Sequence, residues 1–258
     1  MRRYFFRTVA VAATYLGLHF VVCLFLPSPI SAEYWVRELI GIKRILANSI
    51  VSPRIIILGG SSTLFSIDAR QIEETTGIRA MNMGMHAGMR LEQVLSVGKD
   101  MVRRGDILVL ALEYGFYNCD HESWSGWQVR NALAWHRSYF DNLPLVTRIA
   151  AIFSSGPMLA VEILISRFGS IIAPEAYADR TQALAPIEVI WERYRSRKLG
   201  SDNLVYWAFN VDDRGDIQTN MGAKYLGVGA AANEPGAVCP YAHSILANFV
   251  VRDRKSVV

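Results

Sequence analysis

An apolar stretch near the N-terminus dominates the hydrophobic pattern of the chain. From Thr8 to Leu26 almost every residue is apolar, and His19 is the one strongly polar side chain among them. This length matches the ~20 residues that a helix needs to cross the hydrocarbon core of a bilayer. The stretch is apolar on every side, whereas a surface helix of a globular protein carries a polar face. The pattern therefore predicts a transmembrane helix, a signal anchor, over residues 1–27.

The residues around this stretch predict its orientation. Three basic residues precede it, Arg2, Arg3 and Arg7. Positively charged flanks stay on the cytoplasmic side, so we expect a single-pass protein whose domain is extracytoplasmic, periplasmic or extracellular. A signal peptide cleaved near Ser31 is the alternative. We favour the uncleaved anchor, because the apolar stretch exceeds the usual ~7–15 residues of a signal peptide and Ile30 is a poor residue for the cleavage site.

The body of the chain shows the pattern of alternating strands and helices. Residues 28–50 predict an amphipathic connector, and three short apolar runs follow it, Arg54–Leu58, Ala80–Met83 and Ile107–Leu112. Helical patterns separate these runs, and Asp68 is a good N-cap for a helix that Gly77 would end. Strands that alternate with helices favour right-handed crossovers and a parallel sheet covered on both faces. We therefore predict an α/β domain over residues 51–258.

The second half of the body is less regular. Residues 120–205 are rich in aromatics and interrupted by prolines, which predicts a mostly helical insertion in the α/β domain. The apolar run Ile149–Ile172 is interpreted as a core or membrane-facing helix rather than a second span, because polar residues interrupt it. Asn210–Gly229 is rich in turn residues and predicts a loop or hairpin near a site. Ser244–Val251 predicts a helix of about two turns that should lead into a further strand, so we expect the fold to be incomplete at the C-terminus.

Charge excludes one class of function. The formal net charge is +4, but the three N-terminal arginines carry +3 and the tail from Arg252 to Lys255 carries +2, which leaves the body near neutral at −1. A nucleic-acid-binding domain needs clustered basic residues, because phosphate neutralisation supplies most of its affinity. We therefore expect no nucleic-acid partner.

The three cysteines, Cys23, Cys119 and Cys239, lack metal-site or redox-motif spacing. Cys119 and Cys239 are the two that could pair, and we favour two free thiols. No phosphate-binding loop or dinucleotide fingerprint follows any strand, and the acidic run Asp212–Asp216 lacks the later glutamate of a calcium loop. We therefore expect no cofactor and no metal.

The residues that follow the three strands carry the candidate chemistry. Gly60, Ser61 and Ser62 follow the first strand, Asn82 and Gly84 end the second, and Glu113 and Tyr114 follow the third. In a parallel sheet, ligands bind at the carboxyl ends of the strands. A serine after a glycine turn, at the start of a helix, can present a nucleophilic hydroxyl next to backbone amides that stabilise an oxyanion. The alternative is an ordinary tight turn in which Ser62 or Thr63 caps the next helix.

These blocks resemble those of the SGNH (GDSL-like) hydrolase superfamily, over roughly Arg54 to Phe116. Its first block is a strand followed by Gly-Asp-Ser, and Gly60-Ser61-Ser62 is similar, with serine in place of aspartate as in cell-envelope members. Asn82-Met83-Gly84 with Gly88 resembles the second block. The resemblance implies a flavodoxin-like parallel sheet with helices on both faces, Ser62 as nucleophile, and the amides of Ser62 and Gly84 as oxyanion donors.

Two blocks depart from the family pattern. Glu113-Tyr114 stands where the family has the asparagine of its third block, so that oxyanion donor is absent unless Glu113, Tyr114 or Asn118 replaces it. The final Asp-x-x-His block is not found, and His86 is the best local substitute for the base. Losing one oxyanion donor costs roughly 10²–10³ in rate. A buried structural role for Glu113 is the alternative.

The resemblance implies an exported, membrane-anchored esterase or O-acyltransferase acting on a cell-envelope glycan, without its Asp-x-x-His segment and therefore incomplete as a catalyst. The expected partners are the membrane, a cell-envelope polysaccharide and a membrane acyltransferase. The alternative is a non-catalytic envelope scaffold or glycan-binding protein with the same fold, and the departures at Glu113 and Tyr114 motivate it.

Overall fold

The chain folds into two compact units. A computed structural model describes residues 1–28, 30–117, 123–197, 207–218 and 238–253. The first unit combines Met1–Tyr34 with Ser123–Ala185, and the second combines Trp35–Glu122 with Pro186–Val258. The described part of the predicted insertion up to Ala185 therefore groups with the N-terminal helix rather than with the sheet.

The protein is of mixed α/β type, with one parallel sheet and many helices. Its strands are β1 (Ile55–Gly59), β2 (Ala80–Gly84) and β3 (Ile107–Leu110). The helices are α1 (Arg2–Phe25), α2 (Tyr34–Ser49), α3 (Ser61–Ser66), α4 (Ala69–Thr76), α5 (Leu91–Lys99), α6 (Gly126–Trp135), α7 (Arg137–Asp141), α8 (Leu145–Ser154), α9 (Met158–Ile172), α10 (Ala178–Ala183), α11 (Ile187–Arg195) and α12 (Pro240–Asp253). Short 3-10 helices occupy Tyr114–Phe116, Pro174–Tyr177 and Ala208–Asn210.

The first unit is all helical in its described part and includes α1. This helix is long and apolar enough to cross a membrane, a test that signal sequences also pass. Residues 1–18 are exposed, whereas the C-terminal part of α1 contributes Val22 and Cys23 to a buried apolar cluster, which Ile30 also joins. The other members of this cluster come from α6 to α9: Val129, Ala132, Leu133, Phe140, Ala151, Ile152, Leu159, Ala160 and Ile163.

The apolar run from Ile149 to Ile172 forms parts of two helices rather than one. Gly156 takes a left-handed conformation with φ of 79°, and Pro157 follows it, so α8 ends and α9 begins after a sharp bend. The two helix axes differ in direction by 89°, and the pair passes the length and apolarity test for a span only when taken together.

The sheet of the second unit has the order β2-β1-β3, and both pairings are parallel. The central strand β1 is buried along its whole length. On one face Ile55 and Ile57 pack with Ala69, where α4 begins, and on the other Leu58 lies against Gly98 of α5. The prediction of a parallel sheet with helices on both faces is thus confirmed around β1.

The structure corrects the prediction for the third strand. We expected both faces of this strand to be covered, but Ile107 is 47% exposed and Val109 is 41% exposed. The two residues lie on the same face, because successive side chains of a strand alternate. Since β3 also forms one edge of the three-stranded sheet, its apolar composition does not mean burial on both sides.

Local signals at helix ends were accurate for α4 and less so for α12. The Asp68 carboxylate accepts from the Gln71 amide, 3.0 Å away, and Gly77 ends α4 with a φ of 71°, as predicted. The C-terminal helix begins at Pro240, four residues earlier than expected, and is longer than two turns. Proline suits this position because the first helical amide has no partner within the helix.

The expectation of free thiols is wrong for Cys239, which is disulfide-bonded. Cys23 is free and buried in the first unit. Cys119 and Asn118 lie outside the described residues, as does the second half of the predicted loop Asn210–Gly229. The described half contains an antiparallel bridge between Val211 and Ile217, which fits the predicted hairpin.

Candidate functional site

The predicted nucleophile lies at the carboxyl edge of the sheet. Strand β1 ends at Gly59 and α3 begins at Ser61, so the chain turns directly into the helix. Ser62 is exposed, and its hydroxyl has no hydrogen-bond partner within the described residues. The Met85 amide donates to the Gly59 carbonyl over 3.0 Å, which holds the loop after β2 at the same edge. The first two blocks of the predicted site therefore lie together.

Glu113 occupies the backbone amides next to this hydroxyl. Its Oε1 accepts from the Ser62 amide over 2.7 Å, and its Oε2 accepts from the Gly60 amide over 3.0 Å. A carboxylate between amides at a helix start is electrostatically favourable, because the first amides of a helix lack partners and carry partial positive charge. Glu113 thus caps α3 from a position 51 residues along the chain. The amide predicted to stabilise an oxyanion holds an anion supplied by the protein itself.

Close packing explains the two glycines before the serines. A Cβ on Gly60 would lie 2.5 Å from both carboxylate oxygens of Glu113, and one on Gly59 would collide with the Ala111 carbonyl. The Thr63 hydroxyl donates to that same carbonyl over 2.5 Å. The absence of a side chain at both glycines therefore allows the segment that follows β3 to pack against the turn. The alternative capping by Ser62 or Thr63 is not observed, since neither side chain caps α3.

Asn82 links β2 to α3 through a side-chain amide whose nitrogen and oxygen both form hydrogen bonds. Its Nδ2 donates to the carbonyls of Thr63 and Ile67 over 3.0 and 3.1 Å, while its Oδ1 accepts from the Gly84 amide over 2.8 Å. Gly84 packs so closely that a Cβ there would meet the backbone of α3. The Gly84 amide, predicted as the second oxyanion donor, therefore already has a partner in Asn82.

A turn closed by the bridge between Val211 and Ile217 supports this arrangement. Asp216 accepts from Asn82 Nδ2 over 3.0 Å and from the Ala69 amide over 2.9 Å. The Asp212 carboxylate accepts from the amides of Arg214 and Asp216, which closes the turn. Burial raises the pKa of Asp216, although the hydrogen bond from Asn82 opposes this rise. The acidic run noted in the sequence therefore serves as a hydrogen-bonding brace for β2.

Lys43 lies fully buried beneath the loop after β2. Its Nζ donates to the Gly84 carbonyl over 2.8 Å. Burial lowers the pKa of Lys43 to about 7, although the charges of Asp216 and Asp212 oppose this effect. We did not predict this residue from the sequence. The signal was present, because Lys43 occupies a position in the apolar stripe Val36, Leu39, Lys43 and Leu46 of α2.

The remaining predicted residues differ in accessibility. Tyr114 is 87% exposed beside Glu113, and Ser61 is partly buried at the start of α3. Nδ1 of His86 accepts from the Gly88 amide over 2.9 Å, and the ring lies edge-on to Trp35. A neutral imidazole that accepts at Nδ1 carries its proton on Nε2. His86 is therefore not arranged as a general base in this conformation.

The site thus combines an accessible hydroxyl with amides that are already hydrogen-bonded. An oxyanion at the Ser62 amide would have to replace the Glu113 carboxylate, and one at the Gly84 amide would have to replace Asn82. The first exchange would give up the two hydrogen bonds that Glu113 accepts, whereas the second would break the buried hydrogen-bond network of Asn82. Among the described residues, no group of three or more His, Cys, Asp or Glu side chains is arranged to hold a metal ion.

Comparisons with known proteins identify no relative. No protein-family model matches the chain, no curated protein matches it, and no solved structure matches it.

Proposed function

We propose that this chain is an SGNH-type serine esterase or O-acyltransferase that is anchored in a membrane and acts on a cell-envelope glycan. The observation that carries the proposal is the exposed Ser62 hydroxyl at the carboxyl edge of a parallel sheet, at the start of α3. The loop after β2 lies at the same edge through the hydrogen bond between Met85 and Gly59. Ligand sites of open parallel sheets occupy this edge.

The strand order supports the fold assignment. The order β2-β1-β3 is the beginning of the flavodoxin-like order 2-1-3-4-5. The Asn82-Met83-Gly84 block ends the strand next to β1, which brings it beside the serine block. A flavodoxin-like SGNH domain requires this neighbourhood of its first two blocks.

Core packing supports an uncleaved anchor over a signal peptide. Cleavage near Ser31 would remove Val22, Cys23 and Ile30, which are buried with residues of α6 to α9. It would also remove the Ser28 hydroxyl, which donates to the Ile163 carbonyl over 2.9 Å. With Arg2, Arg3 and Arg7 on the cytoplasmic side, the α/β unit is extracytoplasmic.

The proposed reaction is acyl transfer through a covalent intermediate. The Ser62 oxygen attacks the carbonyl carbon of an acyl ester while its proton passes to a histidine imidazole, for which His86 is the candidate once it has released the Gly88 amide. The imidazolium returns this proton to the alcohol, which leaves to give an acyl-serine ester. Water or a glycan hydroxyl then takes the acyl group and restores the serine. The Glu113 carboxylate must leave the Ser62 amide first, because a second negative charge cannot share that donor. Glu113 would then act as a gate that the substrate displaces.

Fluorophosphonate labelling of the full chain in membranes tests this function. The probe phosphonylates a serine only where the hydroxyl is activated. We expect labelling of the unmodified protein, loss of labelling in Ser62→Ala, and unchanged labelling in Ser66→Ala, an exposed serine of the same helix. Labelling that survives in Ser62→Ala would exclude Ser62 as the nucleophile.

A second candidate is a non-catalytic envelope scaffold or glycan-binding protein. The hydrogen bonds that occupy the amides of Gly60, Ser62 and Gly84 favour it. The exposed Tyr114 ring next to Glu113 offers an apolar face to a sugar. This candidate predicts no probe labelling of the unmodified chain or of Glu113→Gln, and polysaccharide binding that Tyr114→Ala weakens while Ser62→Ala preserves it.

A further inference from the structure

Two helices of the first unit present apolar side chains to their surroundings. On α9 five exposed apolar residues recur every three or four positions and form one stripe: Met158, Val161, Ile165, Phe168 and Ile172. Ile171 is also exposed, beside this stripe. On α8 three exposed apolar residues recur every four positions, Leu145, Ile149 and Phe153, and Val146 is exposed beside Leu145. The opposite sides of both helices are already buried in the cluster with α1. Exposed apolar stripes of this extent mark a contact with another apolar phase.

No charged residue of α8 or α9 belongs to these stripes. The charged side chains of α8 and α9 are Arg148, Glu162 and Arg167. Glu162 is engaged with Arg130 over 2.7 Å and with the Ser31 amide, and Arg148 lies 3.8 Å from Asp141. Arg167 is exposed, but it is offset from its neighbour Phe168 by about 100° around the helix. The apolar faces therefore carry no ionic group that contact with hydrocarbon would have to desolvate.

Contacts with α1 indicate what covers the stripes. The Tyr15 hydroxyl donates to the Pro157 carbonyl over 3.1 Å, at the bend between α8 and α9. Tyr15 lies ten residues before Phe25, the last residue of α1, which corresponds to about 15 Å along the helix axis. If α1 crosses the bilayer, the bend lies about half-way along the span. The apolar surface of α8 and α9 then continues the lipid-facing surface of α1.

We infer that α8 and α9 form a broken, re-entrant helical pair that is immersed in lipid beside the anchor, with the stripe from Met158 to Ile172 facing acyl chains. The inference rests on the anchoring of α1 that belongs to the proposed function, but not on the chemistry at Ser62. The interruption at Ser155–Pro157 is compatible with this depth, because the exposed backbone is satisfied by protein: Tyr15 pairs with Pro157, and the Gly156 amide donates to the Phe153 carbonyl. The first unit would then be held in the membrane by α8 and α9 as well as by α1.

Site-specific photo-cross-linking of the full chain in its native membrane tests this inference. Benzoylphenylalanine replaces Phe168 on the stripe, its neighbour Arg167 off the stripe, or Val11 on the exposed part of α1. After irradiation, mass spectrometry of the corresponding peptides identifies what each position contacted. We expect phospholipid adducts at positions 168 and 11, and a severalfold lower yield at position 167.

Three results would overturn the inference. Lipid adducts at position 11 without adducts at position 168 would place the stripe outside the bilayer. Cross-links from position 168 to a second copy or to another protein, in place of lipid, would identify a protein interface. Absence of lipid adducts at position 11 would remove the premise that α1 is in lipid. Serine labelling at the α/β unit is read independently, so failure of this inference is distinguishable from failure of the acyl-transfer proposal.

Discussion

The two ends of the parallel sheet treat buried charge differently. At the amino end, the buried Arg54 side chain forms an ion pair with Asp106 at 3.0 Å and also donates to the carbonyls of Ala47 and Met101. At the carboxyl end, the buried Lys43 donates to the Gly84 carbonyl, and no carboxylate lies within ion-pair distance of it in the described residues. The buried charge of Arg54 is therefore neutralised by a carboxylate in direct contact, whereas, within the described part of the chain, that of Lys43 is not.

The difference in pKa follows from this difference in partners. Burial alone would raise the pKa of Asp106, but hydrogen bonds from Ser52, the Arg103 amide and Arg54 outweigh burial and lower it. Burial lowers the pKa of Lys43 to about 7. Its hydrogen-bond partner, the Gly84 carbonyl, carries no negative charge that would offset this effect. Perturbed ionisation of this kind concentrates at functional sites, where stability is not the only requirement. The amino end is built for stability, and the carboxyl end also carries the candidate chemistry.

Breaking the ion pair at the amino end should have the largest effect on stability. Arg54→Met leaves the Asp106 carboxylate buried without its charged partner, which typically costs about 3–5 kcal/mol. Arg44→Met is the matched control, because Arg44 pairs with Asp100 on the surface and such pairs contribute about 0–1 kcal/mol. Urea unfolding of both variants in detergent measures the comparison. Equal losses in the two variants would contradict the assignment of stability to the Arg54 pair.

Crowding the carboxyl end should have the next largest effect. Gly84→Ala places a Cβ against the backbone of Leu64 and Thr63, which cannot give way as a flexible side chain could. Overpacking of this kind costs about 1–3 kcal/mol. Gly126→Ala is the control, since its Cβ would meet the far end of the flexible Arg130 side chain and lie at ordinary van der Waals distance from the Ser155 backbone. If Gly84→Ala lost no more stability than Gly126→Ala, β2 and α3 would not be packed as described.

Lys43 should give the carboxyl end a distinctive dependence on pH. Its pKa is about 7 in the folded protein and 10.5 in the unfolded chain, so between these values the unfolded chain binds a proton that the folded protein lacks. Stability therefore rises with pH in this window, by at most about 1.4 kcal/mol per pH unit. Lys43→Met should remove this slope, whereas Lys99→Met, at an exposed position, should keep it. The unfolding free energy measured from pH 7 to 9 tests this, and a slope that persists in Lys43→Met would refute the buried titration.

Much of the fold was predictable because its signals are local. The β-branched run that forms β1, the Asp68 cap and the left-handed Gly77 each depend on a few neighbouring residues. The block of Gly60, Ser61 and Ser62 could likewise be assigned to the turn after the first strand. The stripe on α9 was visible too, but an apolar stripe does not tell whether protein or lipid covers it.

The details of the site depended on contacts between distant parts of the chain. Nothing near Glu113 in the sequence indicates that its carboxylate reaches the amides of Gly60 and Ser62. The same holds for Asp216, which meets Asn82 across 134 residues. Sequence patterns identified which residues are at the edge of the sheet, but not which of their hydrogen-bonding groups were already used.

The sharpest test of Ser62 as a nucleophile whose backbone amide is occupied by the Glu113 carboxylate is the rate of fluorophosphonate labelling in Glu113→Gln. The side-chain NH2 group of glutamine cannot accept a hydrogen bond, so the substitution releases at least one of the two backbone donors and removes the charge. We predict that Glu113→Gln labels at Ser62 roughly 100-fold faster than the unmodified chain, at the lower end of the ~10²–10³ range that one oxyanion donor contributes. Glu188→Gln, at an exposed position in α11, should label at the unmodified rate. An unchanged or slower rate in Glu113→Gln would show that Glu113 does not restrain Ser62, and label on a residue other than Ser62 would exclude Ser62 as the nucleophile.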